Sequence, residues 1–492
     1  MSSDTRSLSQ EEIETGLRNV LRDGLATRAM VTLTEGIFLV GFALKMGAPL
    51  FYIGLLAAIP PLAQLIQLPS ILLVERVRDR RKISVYSSIG SRICLLLIAL
   101  IPFLFSPIIG LTLLLTFTFA RGAFGAVGAS SWNSWMRDLI PQESLGQFFS
   151  KRWSQSIALS IPIALGAGYF IESWVNWFPD RNPLTGYSII FSTGFTVGIL
   201  GIYFLLKTPE PKMPNFGKKP NILELINRPF GDKNFRQLMA FLGSWNFAIF
   251  LASPFFTVYI LNNLNYGMTT VIVLTVLTQT INVLFFQIWG RFSDQYSNKS
   301  VLGVSGPIFL ISILLWTFTT MPEKYFLTVP LLIIIHVLMG ISLAGVNLAT
   351  GNIGLKLAPR GQGTSYLAAI SLVGSLSIGI GPILGGIIAN TLVDYKLSLT
   401  LNLSTPSGTL GIQTLYFQGL DFAFLFAFLI GVYSIYRLAF VVEEGEIEKK
   451  VVYQELLSEI KRPALNFTTA AGFWNVFQYP LTTVKKRLNR KR

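Results

Sequence analysis

Twelve times along this chain an apolar run long enough to cross a bilayer gives way to a short polar or charged loop, and that alternation governs what the chain can fold into. A hydrocarbon layer about 30 Å thick takes about 20 helical residues to cross, and backbone inside it must satisfy its own N–H and C=O groups. Helices do this segment by segment. The runs fall near residues 26–46, 50–73, 83–105, 107–131, 153–174, 185–206, 237–261, 267–289, 300–320, 325–351, 365–390 and 417–441. With 51% hydrophobic and 13% charged residues among 492, a water-soluble fold has far more apolar surface than it can hide. The expectation is an all-α membrane protein of twelve transmembrane helices.

Charge then orients it. The net charge of +15 could point to nucleic acid, but the basic residues sit in short loops between apolar runs. Alternate loops on one side hold Arg76, Arg78, Arg80, Arg81, Lys82, Arg137, Lys151, Arg152, seven basic residues between 207 and 236, Arg291, Lys299, Lys356 and Arg360, whereas the other side holds only Lys45, Arg181, Lys324 and Lys396. The basic side is expected to be cytoplasmic, with both termini on it, in a plasma or inner membrane. Trp132, Trp135 and Trp153 on one side and Trp174 and Trp177 on the other read as two interfacial belts.

The same reading divides the chain into an amphipathic cytoplasmic N-terminus (1–25), a six-helix half (26–206), a polar bridge (207–236), a second six-helix half (237–441) and a basic tail (442–492). Residues 7–24 carry Ile13, Leu17, Val20 and Leu21 at helical spacing among charges, the pattern of a helix lying on the membrane surface. Within the loop at 391–416, leucines alternate with polar residues before Pro406-Ser407-Gly408, which predicts a small β-hairpin. Cys94 is alone, so no disulfide forms within the chain. No His/Cys/acid metal set, phosphate-cradling loop or nucleophile-base-acid trio appears, which argues against an enzyme and calls for no cofactor.

The charged loops repeat. Leu72-Leu73-Val74-Glu75-Arg76-Val77-Arg78-Asp79-Arg80-Arg81-Lys82 has a counterpart in Trp289-Gly290-Arg291-Phe292-Ser293-Asp294-Gln295-Tyr296-Ser297-Asn298-Lys299, about half a chain away. Each has an acid just past an apolar run and basic residues beyond. Gly290 lies four residues before Asp294, so both share a helix face where a neighbouring helix could approach closely. This pattern resembles the signature loop of the major facilitator superfamily, in which glycine, three residues and an acid precede basic residues between helices 2 and 3 and between helices 8 and 9. The second copy matches at Gly290, Asp294 and Lys299. The first has Glu75, Arg76, Asp79 and Arg81, with Ile71 and Arg78 where the family has glycines. The first 46 residues and the stretch from Trp132 to Arg152 also resemble a bacterial, cyanobacterial-type branch of permeases, a likeness that names no ligand.

Two charges stand inside apolar runs. Glu35 lies about nine residues, or roughly 14 Å, into the first, and Arg121 is deep in the fourth. Each isolated charge costs about 2.5–3.5 kcal/mol at the bilayer centre on insertion scales, so they must pair, protonate or border water. Arg121 through Gly125 also resembles the family's helix 4 motif, arginine, three residues, glycine, where the arginine is implicated in proton transfer. The resemblance implies that helices 1 and 4 border a central cavity, making Glu35 and Arg121 candidates for proton coupling. The alternative is a permanent ion pair that locks two helices. Trp245, Asn246, Gln279 and Asn282 are candidate cavity groups, and His336 is either one more or a hydrogen-bonded packing residue. Arg28 and Arg92 read as structural residues that snorkel from inner helix ends. Gly381-Pro382-Ile383-Leu384-Gly385-Gly386 resembles the family's glycine-proline motif and reads as a helix bend, although the helix 5 copy retains only Pro162, Gly166 and Gly168.

The expected function is secondary transport of a small solute by alternating access, coupled to protons, by a monomer whose other partners are membrane lipids. A receptor or assembly factor that retained the fold is the competing class.

Overall fold

The structure, a computed structural model, describes residues 9–141, 145–211, 229–320, 323–359, 363–405 and 408–443. Most of the bridge and the tail beyond Glu443 lie outside the described residues. Among the described residues, twelve helices have the length and composition to cross a membrane: span 1, Gln10–Lys45; span 2, Leu50–Val77; span 3, Arg80–Leu104; span 4, Pro107–Leu139; span 5, Lys151–Trp177; span 6, Pro183–Leu206; span 7, Lys233–Asn263; span 8, Met268–Gln295; span 9, Asn298–Trp316; span 10, Thr328–Leu357; span 11, Tyr366–Thr391; span 12, Leu420–Leu438. The twelve-helix membrane fold expected from the apolar runs is present.

Lipid is as apolar as leucine, so the helices are held by close packing rather than by a hydrophobic drive between them. Span 1 packs on spans 5 and 6, and span 3 on spans 4 and 6; in the second half span 7 packs on spans 11 and 12, and span 10 on spans 8 and 9. Spans 2 and 11, and spans 5 and 8, join the halves. Where spans 2 and 11 cross, a Cβ on Gly54 would overlap the Pro382 carbonyl, and one on Gly386 would stand 2.9 Å from the Leu50 carbonyl. Apolar side chains such as Ile108 and Leu104 remain exposed on the outer surface, where lipid would cover them.

Three readings need correction. Residues 10–24 do not form a separate surface helix: Gln10–Thr34 is one continuous helix, started by a Ser9 capping box with Glu12. Its Val20 packs with Trp135, Leu139, Ile202 and Leu205, so the apolar stripe meets protein instead of lipid. Trp135 is no belt residue either; it is fully buried and donates to the Pro209 carbonyl at 2.9 Å. Third, span 1 is broken. Its first helix stops at Thr34 and a second runs Ile37–Lys45, because Gly36 adopts φ +55°, ψ −121°, a conformation open to glycine.

Span 7 is interrupted at the corresponding place. Its long helix ends at Ala252, and a short helix resumes at Phe255 after Pro254, which lacks the N–H a continuing helix needs. Helices broken where they line a cavity are a recurrent way of presenting backbone groups at mid-membrane in transporters. Between spans 11 and 12 the hairpin forms as expected: β1 (Lys396–Thr405) pairs antiparallel with β2 (Gly408–Gln418), with a register shift at Leu399/Thr400.

Candidate functional site

Below the break in span 1 lies a cavity of about 760 Å³, walled mainly by spans 1, 2, 3 and 4 and closed on one side by Phe250, Ser253, Pro254 and Thr257 of span 7. It runs from Glu35 toward the end of the bundle that carries the N-terminus, where Asp23, Trp132 and Arg152 line it. A smaller cavity of about 310 Å³ lies between spans 1, 5 and 8. Glu35, Gly36, Ile37 and Val31 border both.

Glu35 caps the first segment of span 1, its N–H donating to the Val31 carbonyl at 3.0 Å. Its side chain, 45% exposed, accepts from Arg121 Nη2 at 2.6 Å, while the Arg121 side chain is only 8% exposed. The same Nη2 lies 3.2 Å from the Thr34 hydroxyl, which donates to the Met30 carbonyl at 2.8 Å. The arginine is thus fixed by two neighbours and the acid is open to whatever enters. A charge-assisted bond of this length is strong at low dielectric, yet one open face lets a ligand or a proton compete for the carboxylate.

Other candidates separate into three groups. Gln279 lines the smaller cavity together with Glu35. Asn246 is half-buried on span 7 and faces Gly374 of span 11, whose Cβ would stand 3.7 Å from Asn246 Nδ2; Asn282 is half-buried and lines neither cavity. Trp245 and His336 are packing residues. Trp245 stacks on Phe241 and meets Phe309 at a tilt of 53°, and His336 donates from Nδ1 to the Leu332 carbonyl at 2.7 Å with its ring against Trp316.

The charged loops hold each half together at the end that carries the N-terminus. Asp79 caps span 3, accepting from the Lys82 N–H at 2.8 Å and pairing with the Lys82 ammonium at 2.9 Å. Burial raises the Asp79 pKa, but these two bonds outweigh it and hold the carboxyl below the usual range. Glu75 is half-buried and Arg76 and Arg81 are exposed, so the centre of the loop is instead Arg80, which is fully buried. Its guanidinium pairs with Asp138 and donates to the Pro211 carbonyl at 2.7 Å, while Glu210 accepts its backbone N–H at 2.7 Å and that of Arg81 at 3.2 Å. In the second half Glu443 holds the equivalent place: it accepts the N–H groups of Asn298 at 3.2 Å and Lys299 at 2.7 Å and pairs with Lys356 at 3.0 Å. Asp294 is exposed, and a Cβ on Gly290 would meet no atom within 4 Å, so no helix approaches there. The expected close contact at Gly290 is absent because the halves stand apart at this end.

The glycine-proline segment has a different place. Span 11 runs unbroken as a helix through Pro382. A Cβ on Gly381 would stand 2.9 Å from the Phe247 carbonyl, and one on Gly385 would overlap that of Leu251, so both face span 7; Gly386 faces span 2. The segment therefore lets span 11 lie flat between its own half and the other.

Sequence reasoning missed Glu172, the acid of span 5 that accepts from the Thr269 N–H at 3.0 Å and hydroxyl at 2.6 Å across the half interface. It also assigned Arg92 to an inner helix end. Arg92 is 7% exposed and lines the larger cavity, because span 3 begins at Arg80 and carries it three turns inward. The one available signal was its spacing from Ser84 and Ser88, eight and four residues before it on the same helix face.

Two six-helix halves around a charged cavity are the architecture of a multi-pass membrane carrier. The sequence profile of the Major Facilitator Superfamily matches residues 25–382 and 238–486, and the chain belongs to that family of membrane transporters. No curated protein sequence matches it. Among solved structures, the nucleoside transporter NupG superposes with a TM-score of 0.59 at 13% identity, covering 88% of this chain and 100% of that one. A bacterial homologue of the human lysosomal transporter Spinster, inward-facing and occupied, gives 0.59 at 15% identity over 90% of this chain and 97% of its own. A D-xylose-proton symporter gives 0.58 at 14% identity over 89% and 98%. At these identities the likeness is one of fold.

Proposed function

We propose that this protein is a secondary active transporter that moves a small solute by alternating access and couples it to protons through Glu35 and Arg121. The observation that carries the reading is the Glu35 carboxylate, ion-paired at 2.6 Å yet nearly half exposed, at a helix break shared by two cavities. Substrate entering the larger cavity competes with Arg121 for Glu35 or draws the arginine away, and a carboxylate deprived of its cation takes up a proton more readily. A charge moved through the membrane is worth about 2.3 kcal/mol per 100 mV, enough to drive accumulation.

The conformation fits one half of such a cycle. Contacts between the halves gather at Gly54, Pro382 and Gly386 and at Glu172 and Thr269, while the cavity extends toward the opposite end. With both termini cytoplasmic, as the loop charges favour, this is the inward-facing state of a plasma or inner membrane protein. The division into two six-helix halves at residues 206, 236 and 441, the monomeric state and the lipid contacts belong to the same proposal.

Purified protein in liposomes carrying an internal pH dye tests it, challenged with pooled organic acids, sugars, amino acids, nucleosides and lipophilic cations, with Glu35→Gln alongside. Proton movement evoked by one pool and lost in the variant is the expected result. Tracer flux that proceeds equally in both proteins without proton movement would sink the coupling, and absence of any flux would turn attention to the receptor or assembly reading.

A further inference from the structure

Arg121 is satisfied by Glu35 and Thr34, but two further guanidinium groups on the larger cavity are not. Arg92 is 7% exposed; its Nη1 and Nη2 make long bonds of 3.4 Å to the Ser88 carbonyl and the Thr27 hydroxyl, and its Nε has no partner. Arg152 lies with its guanidinium 4.8 Å from the centre of the Trp132 ring, and its Nε also lacks a partner. No carboxylate lies within 4.0 Å of either among the described residues, and the nearby Asp23 accepts only a 3.4 Å bond from Thr27. The hydroxyls of Ser84 and Thr118, 2% and 6% exposed, border the same cavity without partners.

Buried polar groups without partners are costly, and a buried cation without an anion more so. Four such groups around one cavity are a set of donors awaiting an acceptor. The seat is built for the arginines: a Cβ on Gly24 would stand 2.9 Å from Arg152 Cζ, and one on Gly198 would stand 3.2 Å from Arg92 Cγ. Counting charges on the wall, Arg92, Arg121 and Arg152 stand against Asp23 and Glu35, an excess of one positive. Guanidinium groups prefer planar or tetrahedral oxyanions that take two N–H bonds at once, and serine hydroxyls add donors without charge. Trp132, Phe124 and Leu56 offer apolar surface for the remainder of the ligand.

We infer that the transported solute is a small organic anion, its carboxylate or phosphate group held between Arg92 and Arg152 with Ser84 as an additional donor. A cation would meet the excess positive charge, and a neutral polyol would leave both guanidinium groups with only the shared, more distant Asp23 carboxylate to offset them. The inference rests on the transporter reading and deepens it.

The test measures binding and flux separately, on full-length protein. Thermal unfolding in detergent is followed with carboxylates, phosphate monoesters and the neutral amide and alcohol counterparts of each; counterflow in liposomes uses the same solutes. At least one anion is expected to raise the unfolding temperature where its neutral counterpart does not, and the responding arm separates carboxylate from phosphate. Arg92→Gln and Arg152→Gln should each weaken binding about tenfold or more, Ser84→Ala about two- to fivefold, and the exposed Arg22→Gln not at all. Ser84→Ala keeps every charge, so it remains informative if an arginine variant fails to fold. Equal binding of neutral counterparts, wild-type affinity in both arginine variants, or no response to any anion would overturn the inference. Anion binding with the expected arginine dependence but no counterflow would instead defeat the transporter reading, and flux of a neutral solute would leave transport standing and the anion class refuted.

Discussion

The carboxylate of Glu172, at the end of span 5, accepts both the backbone N–H and the hydroxyl of Thr269, at 3.0 and 2.6 Å, and so fastens the first half of the molecule to the first turn of span 8 in the second. An acid on a helix N-terminus gains from the helix dipole as well as from the bonds. Gly267 makes the approach possible, since a Cβ there would overlap the Glu172 carboxylate. In the proposed alternating-access cycle this contact breaks when this end opens, so Glu172→Gln should favour the state open there, by about 1–2 kcal/mol, or roughly 5–30-fold in population. Distances between spin labels at Asp180 and Phe326 would report it. A distribution unchanged by the substitution would show that spans 2 and 11 alone set the closure.

A second prediction concerns the break in span 1. Nothing lies within 4 Å of a Cβ on Gly36, so the obstacle to a side chain there is the backbone conformation at φ +55° and not space. Gly36→Ala should cost about 1–3 kcal/mol and pull Glu35 out of register with Arg121 as the helix straightens. Gly166→Ala, on span 5 and equally unobstructed but without a positive φ, is the control and should be neutral or slightly stabilising. Thermal unfolding of the two variants, with solute-driven proton uptake, distinguishes a conformational need from a loss of room. Equal behaviour would mean the break is dispensable.

These residues also mark what could be read from the sequence. Helix-length apolar runs announce spans because bilayer thickness is fixed, and the repeated charged loop announces two halves because both copies meet the same surface. The alternating leucines of Leu397, Leu399 and Leu401 announced a strand. Glu35 and Arg121 stood out because charge is rare at mid-membrane, and the structure brings them together. The break at Gly36 was hidden, since one glycine in an apolar run does not reveal its φ. Glu172, Glu210 and Glu443 were hidden for another reason: each finds its partner in a distant helix, across 97, 130 and 145 residues for the bonds to Thr269, Arg80 and Asn298. Trp135 and Trp245 carry the chemistry of an interface or a cavity, and only packing reveals that both are core.

The equivalence of Glu210 and Glu443 yields a third prediction. Each follows the last span of its half and caps the third, so each closes its six-helix bundle. Arg80 has no exposed surface, and Arg80→Gln would leave Glu210 without its cation and Asp138 with only the longer pair to Arg137 at 3.6 Å, a loss of about 3–5 kcal/mol by analogy with broken buried pairs. Glu443→Gln removes the carboxylate that pairs with Lys356, but that side chain is 45% exposed, so the loss should be smaller. Unfolding temperatures of both variants check the order, and a larger effect at Glu443 would contradict it.

Span 11 allows conformational preference to be separated from stability along a single helix. Gly386 faces span 2 of the other half, where an added Cβ would lie 2.9 Å from the Leu50 carbonyl and 3.0 Å from Phe51 Cα; both are backbone and cannot turn aside. Gly381 faces span 7 of its own half, 2.9 Å from the Phe247 carbonyl. If the halves rock as proposed, a larger residue at Gly386 collides only while they are closed at that end. At Gly381 it would collide in every state of the proposed cycle, because spans 7 and 11 pack within one half. Gly386→Val should then shift spin-label distances toward the state open at the Glu172 end with little loss of unfolding temperature, whereas Gly381→Val should lower stability by about 1–3 kcal/mol, the usual cost of overpacking, and leave the conformational balance nearly unchanged. If the two variants exchange these behaviours, the halves do not move as rigid units about the crossing of spans 2 and 11.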